Sequence, residues 1–354
     1  MLGFGGKWRR WIRACWSTAK FSILVNGEAC GHFNSTRGLR QGDPMSPMIF
    51  VLAAEVLTRM VVNAQSEGLL CGFKVSPTSE PISILQYADD TLVFVDAKKE
   101  MVENLRAIME WFELLSGLKV NYEKSSCFLV NEVADVEALK KVWCCDHRRL
   151  PGIYLGLPLG AKFKDGRVWE NMVEKFRKRL AMWKRVYLSK GGRLVLVKST
   201  LLSLPVYMLS LFVLPSSVAK ELEKIVRCFL WGKKGGRRKI HLLSWNKICL
   251  PLGWGGLGVR RLKDVNVSLL SKWLWWFGEG DGKLWRRIIV GKYGCSPGGW
   301  FSKNVFQSHG VGLWKGIMGC RSWFEKYIRF EVGNGERISF WGDVWLGDLA
   351  LSLF

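Results

Sequence analysis

The chain has 354 residues, enough for two or three domains with cores of their own, and its 49% hydrophobic content excludes a mainly disordered polypeptide. A formal net charge of +23 implies a polyanionic partner. That charge is uneven: residues 1–150 carry 18 Lys and Arg against 17 Asp and Glu, whereas residues 151–354 carry 35 against 13, together with 14 of the 19 tryptophans.

Residues 1–16 read as an amphipathic helix with Trp8, Trp11 and Ile12 on one side. Phe21–Val25 and Ala29–Phe33 are strand-like and flank Asn26-Gly27, a favourable hairpin turn. RGLRQGDPMSP forms a Gly/Pro-punctuated loop, after which Ser46 as N-cap and Pro47 at the first helical position open a helix to about Val62. Two short apolar strands, Ile82–Leu85 and Thr91–Val95, flank Gln86-Tyr87-Ala88-Asp89-Asp90 and place two carboxylates at a hairpin tip. Apolar residues at Val102, Leu105, Ile108, Met109, Phe112 and Leu115 define a helix over Glu100–Leu115 that ends at Gly117, and Leu118–Val120 reads as a strand.

Beyond a boundary near residue 150, YLGLPLG at 154–160 is a strand-turn unit. Arg167–Leu188 reads as a basic amphipathic helix with Trp169, Met172, Val173, Phe176, Leu180, Trp183 and Tyr187 as its apolar stripe. Gly191-Gly192 should interrupt it. The apolar stretch 194–214 contains Lys198, Ser199, Thr200, Ser203 and Pro205, which favours a buried helix broken near Pro205 over a membrane span, so no membrane association is expected. A helix from Ser217 to about Trp231 leads to the basic run KKGGRRK at 233–239, a softer boundary. The run is suited either to nuclear import or to phosphate contact. Most tryptophans are expected in cores, and the remainder are suited to stacking on bases.

The ten cysteines are scattered, and the adjacent pair Cys144-Cys145 has neither metal-ligand spacing nor ordinary disulfide geometry. Cys228, Cys249, Cys295 and Cys320 are too dispersed for a zinc knuckle, and His241 and His309 add no paired spacing. Reduced thiols and the absence of a continuous apolar leader point to an intracellular protein.

Adjacent acids in a strand-flanked turn repel each other, an objection that a divalent cation removes; magnesium prefers hard carboxylate oxygens. Alone, YADD is equally well read as a solvated turn. Its neighbours decide otherwise. RQGDPMSP at 40–47, YADD at 87–90, GLKVNYEKS at 117–125 and YLGLPLG at 154–160 resemble, in order and spacing, four successive motifs of the reverse transcriptases of plant non-LTR (LINE-type) retrotransposons. The flanking wording, from MLGFGGKWRRWI to VGNGERISFWGDVWLG, is similar to such elements over essentially the whole chain.

The resemblance implies an α+β fold: an incomplete reverse transcriptase palm (antiparallel sheet with helices) over 1–150, a primer-grip hairpin and helical basic thumb over 151–235, and a Trp/Gly-rich basic region over 236–354. It implies RNA-directed DNA polymerisation with RNA template, DNA primer, dNTP and two Mg2+ ions as partners and cofactors. Asp89 matches the essential metal ligand and Asp90 the supporting one. Tyr87 lines the site, and Gln41, Gly42, Asp43 and Pro44 lie beside nucleotide and template. Lys124 matches a lysine that protonates pyrophosphate or contacts the triphosphate; on its own it reads as a surface charge. Tyr154, Leu155, Gly156, Leu157, Pro158, Leu159 and Gly160 match the primer grip. A further aspartate is expected from a preceding strand, yet residues 1–27 contain no Asp or Glu. The expectation is therefore a polymerase domain cut off ahead of its fingers and before its zinc-binding region, inactive alone, with a non-catalytic nucleic-acid binder or a transposon relic as the alternatives.

Overall fold

The computed structural model describes the chain apart from residues 1–2, 35–39, 78, 134, 144, 161–164, 184–186, 232, 235–236, 239–242, 281, 307–311, 348 and 354. Cys144, His241, His309 and part of the 233–239 run thus lie outside the described residues. The structure mixes helix with small sheets, as α+β implies, and divides into two compact units. The first comprises Met1–Lys74, Glu80–Cys127 and Glu132–Asp146; the second comprises Val75–Ser79, Phe128–Asn131 and His147–Phe354.

In the first unit, α1 (Gly6–Ser17) buries Ile12 alone; Trp11 is exposed beneath the Lys7 ammonium, and Phe4 stacks on Trp8. Strands β1 (Lys20–Val25) and β2 (Glu28–Asn34) pair antiparallel around Asn26 and Gly27, both at positive φ as a tight primed turn requires. The core forms where α2 (Ser46–Ser66) sets Leu57, Val61 and Ala64 against Leu105, Met109 and Phe112 of α3 (Lys99–Ser116). Both hydrophobic faces follow the helical repeat, and Gly117 in the left-handed conformation ends α3. The hairpin of β3 (Ile84–Tyr87) and β4 (Asp90–Val93) adds Ile84 and Val93 to this core. Helix α4 (Val136–Val142) follows; strand β5 (Ser126–Leu129) is divided between the units after Cys127, and strand β6 (Asp146–Arg149), paired to β5, lies in the second unit but for Asp146.

Three expectations are corrected here. Leu118–Val120 is not a strand: once Gly117 turns the chain back along α3, the Val120 amide donates to the Glu113 carboxylate at 2.7 Å instead of to a ladder. Ser46 does not cap α2; it lies inside the helix, the cap position falls on Met45, and the Ser46 hydroxyl donates to the Arg40 carbonyl. The described strands pair two by two and do not merge into one palm sheet. One feature was not anticipated: α2, with 21 residues, is the one described helix apolar and long enough to cross a membrane by length and composition. Its buried face packs on α3, while Met48 and Val51 are exposed.

The second unit includes the hairpin of β7 (Gly152–Tyr154) and β8 (Leu157–Leu159). The basic helix is shorter than its pattern, a 3-10 turn over Gly166–Trp169 and then α5 (Glu170–Met182), and Tyr187 is exposed rather than part of the stripe. Trp169, Met172, Val173 and Phe176 are buried as expected. Gly191-Gly192 does not interrupt a helix but lies in the first turn of α6 (Lys190–Leu196), where the Ser189 hydroxyl accepts from the Gly192 amide. The 194–214 stretch is broken as Pro205 demands, into α6, a π-helical turn over Val197–Leu201 and α7 (Val206–Leu209). These pieces pack with α8 (Ser216–Trp231) around the fully buried Phe176, Val197, Leu201, Leu209 and Leu222.

A short hairpin, β9 (Lys233–Lys234) with β10 (Arg237–Arg238), and α9 (Trp245–Ile248) lead to α10 (Leu262–Glu279). Helices α11 (Leu284–Tyr293), α12 (Gly312–Met318) and α13 (Arg321–Phe324) complete the described α-helices. A further core gathers Leu270, Leu274 and Phe277 of α10 with Phe301, Trp314 and Ile317, and half-buried Trp273, Trp285 and Trp300 pack against it. Buried Asn266 joins α10 to α7: its amide donates to the Leu209 and Phe212 carbonyls and its oxygen accepts from the Leu214 amide, satisfying groups left open where α7 ends.

Candidate active site

The acidic hairpin is a two-residue loop. Tyr87 pairs with Asp90, Gln86 with Thr91 and Leu85 with Leu92, leaving Ala88 and Asp89 to make the turn, with Ala88 at φ +51°. Because successive side chains alternate between faces, Ile84 and Gln86 point one way while Tyr87 and Asp90 point the other. The first face is bolted to α2. The Gln86 amide donates to the Ala54 carbonyl at 3.2 Å, and its oxygen accepts from the Thr58 hydroxyl at 3.0 Å. At the tip the second face is open to solvent: Tyr87 is 66% exposed and both Asp89 and Asp90 are exposed, whereas Leu85 and Leu92 on the same face are half-buried.

The Gln41–Pro44 loop enters the same helix. Gly42 has φ +85°, the Asp43 amide donates to the Arg40 carbonyl, the Asp43 carboxylate accepts from the Met45 amide at 2.8 Å, and the Ser46 amide donates to the Asp43 carbonyl. The loop is therefore a rigid turn held by its own backbone and by Asp43. With a rise of about 1.5 Å per residue, Ala54 lies roughly 12 Å along α2 from Ser46, so one helix carries both the loop and the anchor of the acidic hairpin.

Lys124 lies elsewhere in the same unit, in a turn whose Lys124 and Ser125 amides donate to Asn121, beside the edge-on contact of Tyr122 with Trp143. Among the described residues no hydrogen bond or ion pair links Lys124 to Asp89, Asp90 or the Gln41–Pro44 loop.

Tyr154–Gly160 lies in the second unit. Tyr154 pairs with Leu157 around Leu155 and Gly156, both at positive φ, and Gly160 also has positive φ. Gly152 lies flat on Phe128; a Cβ there would fall 2.3 Å from the ring. The tip is fastened to α7, where the Tyr207 hydroxyl donates to the Leu155 carbonyl at 3.1 Å. The anchoring roles of Gln86 and Tyr207 were missed in the sequence. Gln86 had a usable signal, since strand alternation puts it on the core face beside Ile84.

No group of three or more His, Cys, Asp and Glu side chains that could hold a metal occurs among the described residues. Asp89 and Asp90 are nevertheless of the donor type that suits magnesium, which commonly rests on one or two carboxylates and completes its shell with water and substrate phosphate.

The family described as reverse transcriptase (RNA-dependent DNA polymerase) matches residues 3–159, a span that takes in the loop, the acidic hairpin, the Lys124 turn and nearly all of the 154–160 hairpin. A protein of Arabidopsis thaliana provisionally named a ribonuclease H is 33% identical over 186 residues, covering 49% of this chain and 28% of that protein. The retrovirus-related Pol polyprotein of the type-2 retrotransposable element R2DM of Drosophila melanogaster is 25% identical over 70% of this chain and 23% of its own length. That of the type-1 element R2 of Popillia japonica is 24% identical over 73% of this chain and 42% of its own. The chain thus spans less than half the length of each of these relatives. With the four motifs in order inside the matched span, residues 3–159 match the reverse transcriptase family, and relatives that cover most of this chain include polyproteins of retrotransposable elements.

Proposed function

We propose that the chain contributes the nucleotide-adding part of an RNA-directed DNA polymerase, extending a DNA primer on an RNA template with dNTP. The observation that supports it is the open face of the acidic hairpin, with Asp89, Asp90 and Tyr87 toward solvent while Gln86 fixes the opposite face to α2. In this reading Asp89 and Asp90 hold magnesium, which when bound would neutralise triphosphate charge and favour ionisation of the primer 3′-hydroxyl. Tyr87 borders the nucleotide. Gln41–Pro44 positions nucleotide and template through backbone held rigid by Asp43. The Lys124 ammonium carries a proton for the departing pyrophosphate. The 154–160 hairpin holds the primer end by backbone and apolar contact. Residues 1–150 then act as partial palm, 151–235 as primer grip and thumb, and 236–354 as a basic extension.

Primer extension on an RNA template with magnesium tests the reading. Incorporation should fall by about 100-fold or more in Asp89→Ala. Incorporation that survives this substitution undiminished rejects the site.

A second reading, a non-catalytic binder of RNA or RNA–DNA hybrid, is favoured by the concentration of positive charge in residues 151–354. Salt-dependent binding without incorporation in the same assay selects it.

A further inference from the structure

Residues 224–263 contain eleven Lys and Arg and no Asp or Glu. Within this stretch the chain builds a locked loop. The Trp254 and Gly256 amides donate to the Pro251 carbonyl, Gly255 donates to Leu252, Leu257 to Ile248, and Gly258 to Leu250 at 2.9 Å. Gly256 lies so close to the Leu250 backbone that a Cβ would fall 2.0 Å from its carbonyl oxygen. Underneath, Ile248, Val259 and Leu262 are fully buried.

On this fixed base the 3-10 turn Leu252–Trp254 holds Trp254 at 76% exposure and Leu252 at 70%. A loop this well fastened could have turned its indole inward; it presents it to water, where a large aromatic gains nothing from burial. Two cations adjoin the same loop. The Lys198 ammonium, from the π-helical turn, and the Leu252 side chain converge on Gly258, 3.3 and 3.6 Å from where a Cβ would lie. Lys198 has no ion-pair partner among the described residues, and Arg260 is exposed at the end of the loop.

We propose that Trp254, with Lys198 and Arg260, is a stacking platform for single-stranded nucleic acid: an unpaired base lies on the indole while the two cations contact its flanking phosphates. The charge and the absence of any carboxylate across forty residues favour a polyanion over a protein partner, and an exposed ring face can stack only on a base freed from its duplex. The proposal rests on the reading that the chain handles RNA and DNA strands, but not on catalysis.

The test is fluorescence anisotropy of the full chain with a short labelled oligouridylate, a blunt RNA duplex and anionic lipid vesicles, at several salt concentrations. Trp254→Ala should weaken oligouridylate binding about 10-fold with an unaltered salt dependence, and Trp254→Phe should restore most of it. Lys198→Ala with Arg260→Ala should lower the slope of log affinity against log salt by about 1.4, roughly 0.7 for each lost single-strand phosphate contact. Asp89→Ala should bind like the unaltered chain, so loss of polymerisation and loss of the platform are separately visible. Unchanged binding by Trp254→Ala, an equal loss on duplex, or a loss confined to vesicles would overturn the assignment.

Discussion

The Tyr207 hydroxyl and the Leu155 carbonyl, 52 residues apart, meet at 3.1 Å and tie the tip of the 154–160 hairpin to α7. Tyr207 is half exposed, so the bond contributes at the ordinary net level of about 0.5–1.5 kcal/mol. Tyr207→Phe should therefore speed amide exchange in residues 154–157 by about 2- to 10-fold while α8 exchanges as before. Hydrogen–deuterium exchange with mass spectrometry reads both; equal rates in the two proteins would show that the tip is held by its turn alone.

Ala88 occupies the left-handed region at φ +51° without the freedom of glycine. A β-branched side chain suits that region least, and Ala88→Val should lower stability by about 1–2 kcal/mol. Ala88→Gly should stay within about 1 kcal/mol of the parent, since relief of strain offsets the added freedom of the unfolded chain. Urea unfolding midpoints decide.

Asn266 serves three backbone groups from a buried position. Asn266→Leu keeps most of the volume and strands all three, an expected loss of about 2–5 kcal/mol. Ser268→Ala, on the exposed side of the same helix, should cost no more than about 0.5 kcal/mol. Similar losses for the two substitutions would contradict the role given to the buried amide.

Burial pushes the Cys127 and Cys320 thiols upward, and Cys249 is raised by burial and then by the Glu223 carboxylate. Iodoacetamide at pH 8 should accordingly modify exposed Cys15, Cys30 and Cys71 first and Cys320 last. Since these acids ionise less readily folded than unfolded, their contribution is complete below the ordinary thiol value of 9.0 and is lost as pH rises through the higher folded values. Unfolding midpoints followed from pH 8 to 10.5 should fall only in the upper part of that range, and replacing Cys320 by Ala should flatten the fall.

Much of the first unit was legible because its signals are local. The apolar repeat and Gly117 bound α3 to within a residue, Asn26-Gly27 fixed its hairpin, and a two-carboxylate turn between apolar strands located the β3–β4 hairpin, although Gln86, Tyr87 and Asp90, expected between the strands, pair within them. Where a side chain or carbonyl six or seven residues away decides, the sequence was silent. Glu113 takes the Val120 amide that a strand would have used, and Arg40 takes the Ser46 hydroxyl that would have capped α2. In residues 236–354 the 18-residue α10 does bury Leu262, Asn266, Leu270, Leu274 and Phe277 at helical spacing, a repeat that was missed, whereas Phe301, Trp314 and Ile317 reach the same core from short helices and irregular segments that show no periodicity.

Gly256 and Trp254 are two residues apart and answer to different demands. The backbone of Leu250 forbids anything larger at 256, whereas water would accept almost any residue at 254. Substitution at 256 therefore tests whether the product folds, whereas substitution at 254 tests only what its surface can do.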